Sequence, residues 1–254
     1  MNVIGIIPAR MGSTRFPGKP LEKIHGMPMI GHCYHRTAIA LGPDATYVAT
    51  CDSEIAEYIK SIGGNVIMTS DTHTRATTRT AEAMEKIEKQ IGRNIDVVVM
   101  MQGDEPLIQP KTVVEAISYF ETAAINIVNI MSHIKTQEAF KDKNNVKVVV
   151  DCNNDALYFS REPIPSNWNG WEGNPRYMQT GVIAFRRKTL LQFNSMKETM
   201  LEQVESVDMN RILEMGGKIR MVLTGMVTIG VDVPDELKAA EQELSNDSTM
   251  LKYF

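Results

Sequence analysis

The residues best suited to chemistry in this sequence form a basic loop near the start of the chain. The segment IIPARMGSTRFPGKPL, residues 6–21, carries Arg10, Arg15 and Lys19 among glycines and prolines, directly after an apolar run. Glycine lets backbone N–H groups approach an anion closely, and clustered cations need a negative partner. A solvated basic loop is the competing interpretation. The position at a strand end, in a chain of net charge −4, favours an anion site, and a triphosphate is the expected anion.

Two acidic residues follow later apolar segments. Asp104 comes after VVVMMQG, and Asp232 comes after TIGV, just before the last helical pattern. Ligands of an open parallel sheet bind beyond the carboxyl ends of its strands, so Asp104 is expected at the same edge as the basic loop. Mg²⁺ needs only one or two protein carboxylates when phosphates and water complete its shell. The sequence predicts Asp104 and Asp232 as a magnesium pair, against the alternatives of a turn residue and a helix cap.

These residues need a scaffold, and strand-like and helix-like segments alternate in the first half of the chain. Apolar β-type runs are each followed by a helical pattern, with Pro28 and Pro110 as first-turn prolines. The predicted strands of this half are 3–7, 46–49, 65–68 and 96–101. After residue 125, strands at 125–131, 147–151, 156–159 and 180–185 have less helix between them. The order predicts an α/β fold with a mostly parallel, doubly wound nucleotide-binding sheet and a smaller mixed or antiparallel region at approximately 125–200.

The remaining segments complete a single predicted domain, 1–254. Residues 161–176 hold both tryptophans and three prolines, which predicts a long irregular loop of functional importance or mobility. A helix at 200–215, a strand pair at 219–231 and a last helix at 234–244 follow. Residues 245–254 are expected to form a tail.

Composition excludes several classes of protein. The chain has 254 residues, 43% of them hydrophobic, and its 27 Lys and Arg are scattered, which argues against a general nucleic-acid binder. No apolar run approaches the ~18 residues of a membrane span, and the first strand leaves no room for a leader. The widely spaced Cys33, Cys51 and Cys152 suit a reducing compartment, so a cytoplasmic protein is expected.

Five motifs occur in the order typical of one known family. They are PARMGSTRFPGKPL, NVIMTSDTH, VVMMQGDEP, NNVKVVVDCNNDALYFSREPIP and TIGVDVPDEL. In these motifs the chain resembles the CMP-3-deoxy-manno-octulosonate synthetases, the cytidylyltransferases that activate the acidic sugar Kdo for lipopolysaccharide. The resemblance runs from residue 2 to about residue 244. Composition and spacing alone lead only to a magnesium-dependent nucleotide-binding α/β protein.

The resemblance implies that an anomeric hydroxyl of a sugar acid attacks the α-phosphorus of CTP and expels pyrophosphate. Arg10, Arg15 and Lys19 match the family's triphosphate residues, and Asp104 and Asp232 match its magnesium carboxylates. The implied catalytic residues are Arg10, Lys19, Asp104 and Asp232. The implied CTP-binding residues also include Pro8, Ala9, Thr77, Arg79 and Gln102.

The acceptor side departs from the family pattern. Arg161 in YFSR matches a position that meets the acceptor, where a guanidinium can grip a carboxylate through two hydrogen bonds. The family's Ser-Gly-Thr-acid-Arg becomes residues 75–79, with Arg75 replacing serine. Its His-x-Gly-Ile-Tyr becomes 179–183, so that Gln179 and Ile183 replace an imidazole and a phenol. Its Glu-Gln pair becomes Asp208 and Met209, and a thioether cannot make an amide's hydrogen bonds.

These departures predict an altered acceptor pocket. Sites built to hydrogen-bond a substrate group discriminate strongly against analogues that lack it. The acceptor is therefore predicted to be Kdo or a different carboxylated molecule, with Arg75 as an added anchor, and compensated sequence drift is the competing interpretation. A sugar-1-phosphate nucleotidyltransferase and a non-catalytic nucleotide-binding paralogue remain alternatives. The resemblance further implies a homodimer, formed largely after residue 125.

Overall fold

The computed structural model describes residues 1–13, 15–225 and 228–254. Within these ranges the strands are β1 Val3–Pro8, β2 Lys23–Ile24, β3 Met27–Pro28, β4 Thr46–Thr50, β5 Asn65–Met68, β6 Val97–Met101, β7 Ile127–His133, β8 Lys147–Val150, β9 Ala156–Ser160, β10 Tyr177–Arg186 and β11 Arg220–Leu223. The helices are α1 Met29–Leu41, α2 Ser53–Ser61, α3 Ala76–Ile91, α4 Pro110–Ser118, α5 Gln137–Lys141, α6 Arg187–Ser195, α7 Met200–Glu205, α8 Asn210–Glu214 and α9 Pro234–Leu244.

One mixed sheet forms the centre of the molecule. Its strand order is β11-β7-β10-β6-β1-β4-β5, and β8 and β9 extend it beside β10. The strands β5, β4, β1 and β6 are parallel, whereas β10 is antiparallel to β6, β7 and β8. The predicted α/β fold, with a parallel first half and a mixed region after residue 125, is confirmed.

Helices cover both faces of this sheet, which explains the continuous apolar strands. In β1, Ile4 and Ile6 are buried in one cluster with residues of α3 and α6, while Ile7 is buried in another with residues of α1 and α2. Gly5, between Ile4 and Ile6 in β1, allows α1 to pack closely on the sheet, because a Cβ there would lie 2.5 Å from Cγ2 of Thr37. The sheet is therefore doubly wound, with helices packed on both of its faces.

Three segments differ from the sequence prediction. The helix expected over 200–215 is two short helices, α7 and α8, because Ser206 has a left-handed φ of 51° between them. Of the strand pair expected over 219–231, the described part contains β11, and residues 226 and 227 lie outside it. Residues 245–254 are not a free tail: Asp247 pairs with the buried Arg36 of α1 at 2.5 Å. The partner of an isolated buried arginine is set by tertiary packing, which local patterns do not reveal.

No described helix has the length and apolar character needed to cross a membrane.

Candidate active site

A cleft of about 510 Å³ lies where β1 and β6 end, bordered by the start of α3, the middle of β10 and the segment before α9. It brings together thirteen of the residues that the sequence predicted for the site. They are Pro8, Ala9, Arg10, Arg15, Lys19, Arg75, Arg79, Gln102, Asp104, Arg161, Gln179, Asp208 and Asp232. Residues far apart in the chain therefore share one site.

Lys19 lies between the two strand-end carboxylates. Its Nζ donates to Asp104 Oδ2 at 2.7 Å, to Asp232 Oδ1 at 2.9 Å and to the carbonyl of Val231 at 2.8 Å. Burial alone lowers the pKa of Lys19, but the charges of Asp104 and Asp232 outweigh it, and the pKa is raised. Arg15 approaches the other oxygen of Asp232 at 2.7 Å. The basic loop and the carboxylate pair thus form one charged cluster.

Backbone packing sets the spacing of these groups. A Cβ at Gly103 would lie 2.9 Å from Cδ1 of Ile30 and 3.3 Å from the carbonyl oxygen of Pro8, so glycine lets the turn before Asp104 pack closely against β1 without a shift of these neighbours. The carbonyl of Asp104 accepts a hydrogen bond from Val231 N at 2.9 Å, which joins the two carboxylate segments directly.

Glu105 connects the carboxylate loop to β10, a role that was not predicted from the sequence although the residue lies in the QGDEP motif. Its Oε1 accepts a 2.5 Å hydrogen bond from Gly181 N, and its Oε2 has no hydrogen-bond partner within the part of the chain that the structure describes. Burial, followed by the charge of Asp104, raises the pKa of Glu105 to about 8. The carbonyl of Gly181 in turn accepts from Gln102 N at 2.9 Å. The irregular middle of β10 is therefore held against the loop that carries Asp104.

Two guanidinium groups that the sequence predicts to contact the acceptor lack an ion pair among the described residues. Arg161 donates to the carbonyls of Glu205 and Lys143, both at 2.8 Å. Arg75 donates to Ser206 Oγ at 3.4 Å. Both side chains line the cleft and keep their positive charge available for an anionic group.

Three predicted contact residues do not line the cleft. Ile183 is 1% exposed, because its strand lies between β6 and β7 and its side chain packs into the core. Met209 is 0% exposed and belongs to the same core cluster. Thr77 is also buried, and its Oγ1 donates to Asp208 Oδ2 at 3.1 Å. Thr77 thus orients a residue of the cleft, while Ile183 and Met209 shape the cleft only through packing.

The remaining cations point to a polyanionic ligand. Arg79 is 3% exposed and lines the cleft, and its Nη2 has no hydrogen-bond partner in residues 1–13, 15–225 and 228–254. Arg10 donates a side-chain hydrogen bond to the carbonyl of His73 at 3.4 Å. An α/β sheet that collects guanidinium groups and a carboxylate pair at its strand ends is the arrangement of a nucleotide-binding protein that handles a polyphosphate.

Comparisons with known proteins define the family. The sequence model described as cytidylyltransferase matches residues 4–219, and the chain belongs to this family of nucleotidyltransferases. It is 42% identical over 256 residues to the 3-deoxy-manno-octulosonate cytidylyltransferase of Geobacter metallireducens, covering 96% of this chain and 98% of that protein. It is 39% identical over 250 residues to the 8-amino-3,8-dideoxy-manno-octulosonate cytidylyltransferase of Shewanella baltica, covering 97% and 100%.

A solved structure agrees with the fold over nearly the full length. CMP:2-keto-3-deoxy-manno-octonic acid synthetase complexed with CTP superposes with a TM-score of 0.84 at 36% identity, covering 96% of this chain and 99% of that one. The predicted family and enzyme class are confirmed.

Proposed function

We propose that this chain transfers the cytidylyl group of CTP to a hydroxyl of an acidic sugar, releasing pyrophosphate. One observation carries the proposal: a single cleft joins the basic loop, the Asp104–Asp232 pair and the guanidinium groups of Arg75 and Arg161, which have no ion pair among the described residues. The names of the full-length relatives support a 3-deoxy-manno-octulosonate or an 8-amino analogue as acceptor. The relative that was solved with CTP supports the nucleotide.

In the proposed reaction, the acceptor oxygen forms a bond to the α-phosphorus of CTP. The bond between the α-phosphorus and the bridging oxygen of the β-phosphate breaks, pyrophosphate leaves with that electron pair, and the hydroxyl proton passes to solvent. Arg10, Arg15 and Lys19 bind the triphosphate and offset the charge that develops on the leaving group. Catalysis then rests on positioning and electrostatic stabilisation, and needs no covalent enzyme intermediate.

Asp104 and Asp232 are the proposed magnesium ligands. Their carboxylate oxygens suit this hard cation, and they already share a positive group, the ammonium of Lys19. The part of the chain that the structure describes has no group of three or more His, Cys, Asp or Glu suited to a metal, so phosphate and water oxygens complete the proposed shell. When bound, Mg²⁺ supplies charge neutralisation and a lowered pKa of the attacking hydroxyl.

Arg75, Arg161, Gln179 and Asp208 are the proposed acceptor-binding residues. All four line the cleft, and the two guanidinium groups can hold a carboxylate through paired hydrogen bonds. Pro8, Ala9, Arg79 and Gln102 are proposed to bind the rest of CTP. The acceptor is Kdo or another carboxylated molecule that fits this altered set of side chains.

The test is pyrophosphate release from CTP and Mg²⁺ with a panel of acceptors. The panel contains Kdo, its 8-amino analogue, other sugar acids, a neutral sugar and a sugar 1-phosphate. We expect turnover with at least one sugar acid, and loss of turnover in Asp104→Asn, which retains the size of the side chain.

Each alternative has its own outcome in this panel. Turnover with the sugar 1-phosphate alone would identify a sugar-1-phosphate nucleotidyltransferase. CTP binding without turnover of any acceptor would support a non-catalytic paralogue. Turnover of Kdo at ordinary efficiency would rule out a changed acceptor.

We also propose a cytoplasmic homodimer, formed through the region after residue 125. Cys33, Cys51 and Cys152 are free thiols, which suits a reducing compartment. Exposed apolar side chains in the same region, Leu157 and Trp168, support a contact there. Light scattering on the wild type and on Leu157→Asp tests the oligomeric state.

A further inference from the structure

The last ten residues of the chain pack beneath the loop that carries Asp104. Arg36 of α1 is 0% exposed and lies at the centre of this contact. Its Nη2 donates to Asp247 Oδ2 at 2.5 Å, and its Nη1 donates to the carbonyls of Leu107 and Ile108 at 3.3 and 3.1 Å. One buried guanidinium thus joins the C-terminal segment to the residues that follow Asp104.

Side chains around Arg36 strengthen this connection. Gln109 Nε2 donates to Asp247 Oδ2 at 3.1 Å, and Thr249 Oγ1 donates to Gln109 Oε1 at 2.9 Å. Asp247 therefore bonds both α1 and the residue directly before α4. A buried charged network of this kind is strongly destabilised when one member is removed, because the others lose their partner.

Tyr253 closes the network from the other side. Arg36 Nε donates to the Tyr253 hydroxyl at 3.2 Å, and His32 Nδ1 lies 3.0 Å from the same oxygen. Because His32 Nε2 is 3.0 Å from the carbonyl of Ile24, that nitrogen carries the proton, and Nδ1 accepts from the tyrosine. The Tyr253 ring also stacks on His35 at 5.0 Å.

The part of the chain that ends in these C-terminal residues begins next to the other carboxylate, that of Asp232. Asp232 lies two residues before α9, and its backbone N–H donates to Glu236 Oε2 at 2.6 Å. A small core cluster contains Leu107, from the loop after Asp104, together with Val231, which precedes Asp232. Ala240 and Leu244 of α9 belong to the same cluster. Residues 231–254 therefore hold one carboxylate at their start and brace the loop of the other at their end.

We propose that the C-terminal segment, residues 245–254, is a positioning element that sets the separation of Asp104 and Asp232 for binding of the metal and triphosphate. This inference rests on the magnesium site of the proposed function. None of its residues lines the cleft, so it acts only through the loop at 104–109 and the start of α9. Positioning contacts behind metal ligands contribute strongly to metal affinity.

The test measures Mn²⁺ binding by electron paramagnetic resonance, on the full-length protein with CTP and without an acceptor. Asp247→Asn removes, at constant size, the carboxylate charge that pairs with Arg36, and we expect Mn²⁺ affinity to fall about tenfold. Tyr253→Phe keeps the ring and removes two hydrogen bonds, for an expected loss of about threefold. The matched control is Leu251→Ala, in the same segment and 80% exposed, with wild-type affinity.

Thermal unfolding without metal separates positioning from stability. A lower unfolding midpoint in Asp247→Asn with unchanged Mn²⁺ affinity would overturn the inference, since the segment would then act only as a structural brace. If Asp247→Asn does not fold, Tyr253→Phe provides the test. Wild-type Mn²⁺ affinity in Tyr253→Phe would then overturn the inference. Absence of Mn²⁺ binding in the wild type would instead refute the proposed metal site itself.

Discussion

Replacing Lys19 by methionine keeps the aliphatic chain and removes the ammonium between Asp104 and Asp232. At an effective dielectric constant of about 20, unit charges at the observed 2.7 and 2.9 Å attract by about 6 kcal/mol for each pair. Desolvation of the largely buried ammonium opposes this attraction, and removal of one partner from a buried pair costs about 3–5 kcal/mol. Arg15 still neutralises Asp232, and both carboxylates are partly exposed. We therefore expect the free energy of unfolding to fall by about 2–3 kcal/mol.

Urea unfolding with and without Mg²⁺ measures this effect. Saturating Mg²⁺ should reduce the difference between Lys19→Met and the wild type, because the metal supplies the missing positive charge. The pKa of Lys19 is raised above 10.5 in the folded protein, so its contribution is fully present at neutral pH and is lost only as the pH rises through the folded pKa. With CTP and an acceptor, loss of the ammonium should lower the turnover number by about 10²–10³.

Lys23→Met is the matched control, because Lys23 is exposed on β2 and close in sequence. The electrostatic argument fails if Lys19→Met unfolds at the wild-type urea concentration. It fails equally if Mg²⁺ stabilises both proteins by the same amount.

The remaining predictions concern the acceptor side and the C-terminal network. Arg75→Ala should raise the KM for the acceptor about tenfold and leave the KM for CTP unchanged in steady-state kinetics, because its guanidinium lines the cleft without an ion pair among the described residues and is proposed to bind the acceptor. Lys147→Met should lower the free energy of unfolding in urea by about 3 kcal/mol and raise the acceptor KM. Its Nζ donates to the carbonyls of Arg161 and Asn145, both at 2.6 Å. Burial lowers the pKa of His32 to about 4. The neutral imidazole therefore stabilises the folded protein fully above pH 6.5, and this contribution, about 3 kcal/mol in total, is lost as the pH falls through the folded pKa. His32→Gln should show a flatter pH dependence of urea unfolding over that window.

Each of these has a contrary result. Equal rises in the KM of CTP and acceptor in Arg75→Ala would place that residue outside the acceptor half, and Arg75→Lys should restore part of the affinity. If Lys147→Met has the wild-type KM for the acceptor, Lys147 does not position Arg161 for acceptor binding. An unchanged pH profile in His32→Gln would mean that His32 does not titrate across folding.

Much of the fold follows from local patterns. Strands β1 and β6 are buried on both faces, so each appears in the sequence as a nearly continuous apolar run with a helix after it, whereas β5 lies at the edge of the sheet. Helix α9 was predicted with its observed bounds, Pro234–Leu244, because a first-turn proline and apolar spacing coincide there. The helix expected over 200–215 was wrong in its middle, since a left-handed residue at position 206 interrupts a pattern that remains apolar.

The candidate site divides in the same way. The basic loop and both aspartates could be assigned from their motifs, because strand ends of a parallel sheet meet at one edge. The direction in which a side chain points could not be assigned from the motifs. Ile183 and Met209 occupy the family's acceptor positions in sequence, yet their side chains pack in the core. A one-residue shift along a strand turns a side chain to the opposite face. The pairing of β10 with β7 is irregular between Gln179 and Ile183, so the face to which Ile183 points could not be predicted from the spacing.

The sequence by itself determined the α/β class, the family and the residues that meet at the strand ends, because these depend on apolar periodicity and on short motifs. Tertiary structure alone decided that Lys19 bridges the two carboxylates, that Glu105 holds β10, and that the C-terminal residues brace the loop after Asp104. These contacts join positions 76 to 213 residues apart, from the bond of Gly181 to Glu105 to the bond of Lys19 to Asp232. Local patterns carry no information at that separation, and only the packing of helices on the sheet brings such groups within hydrogen-bond distance.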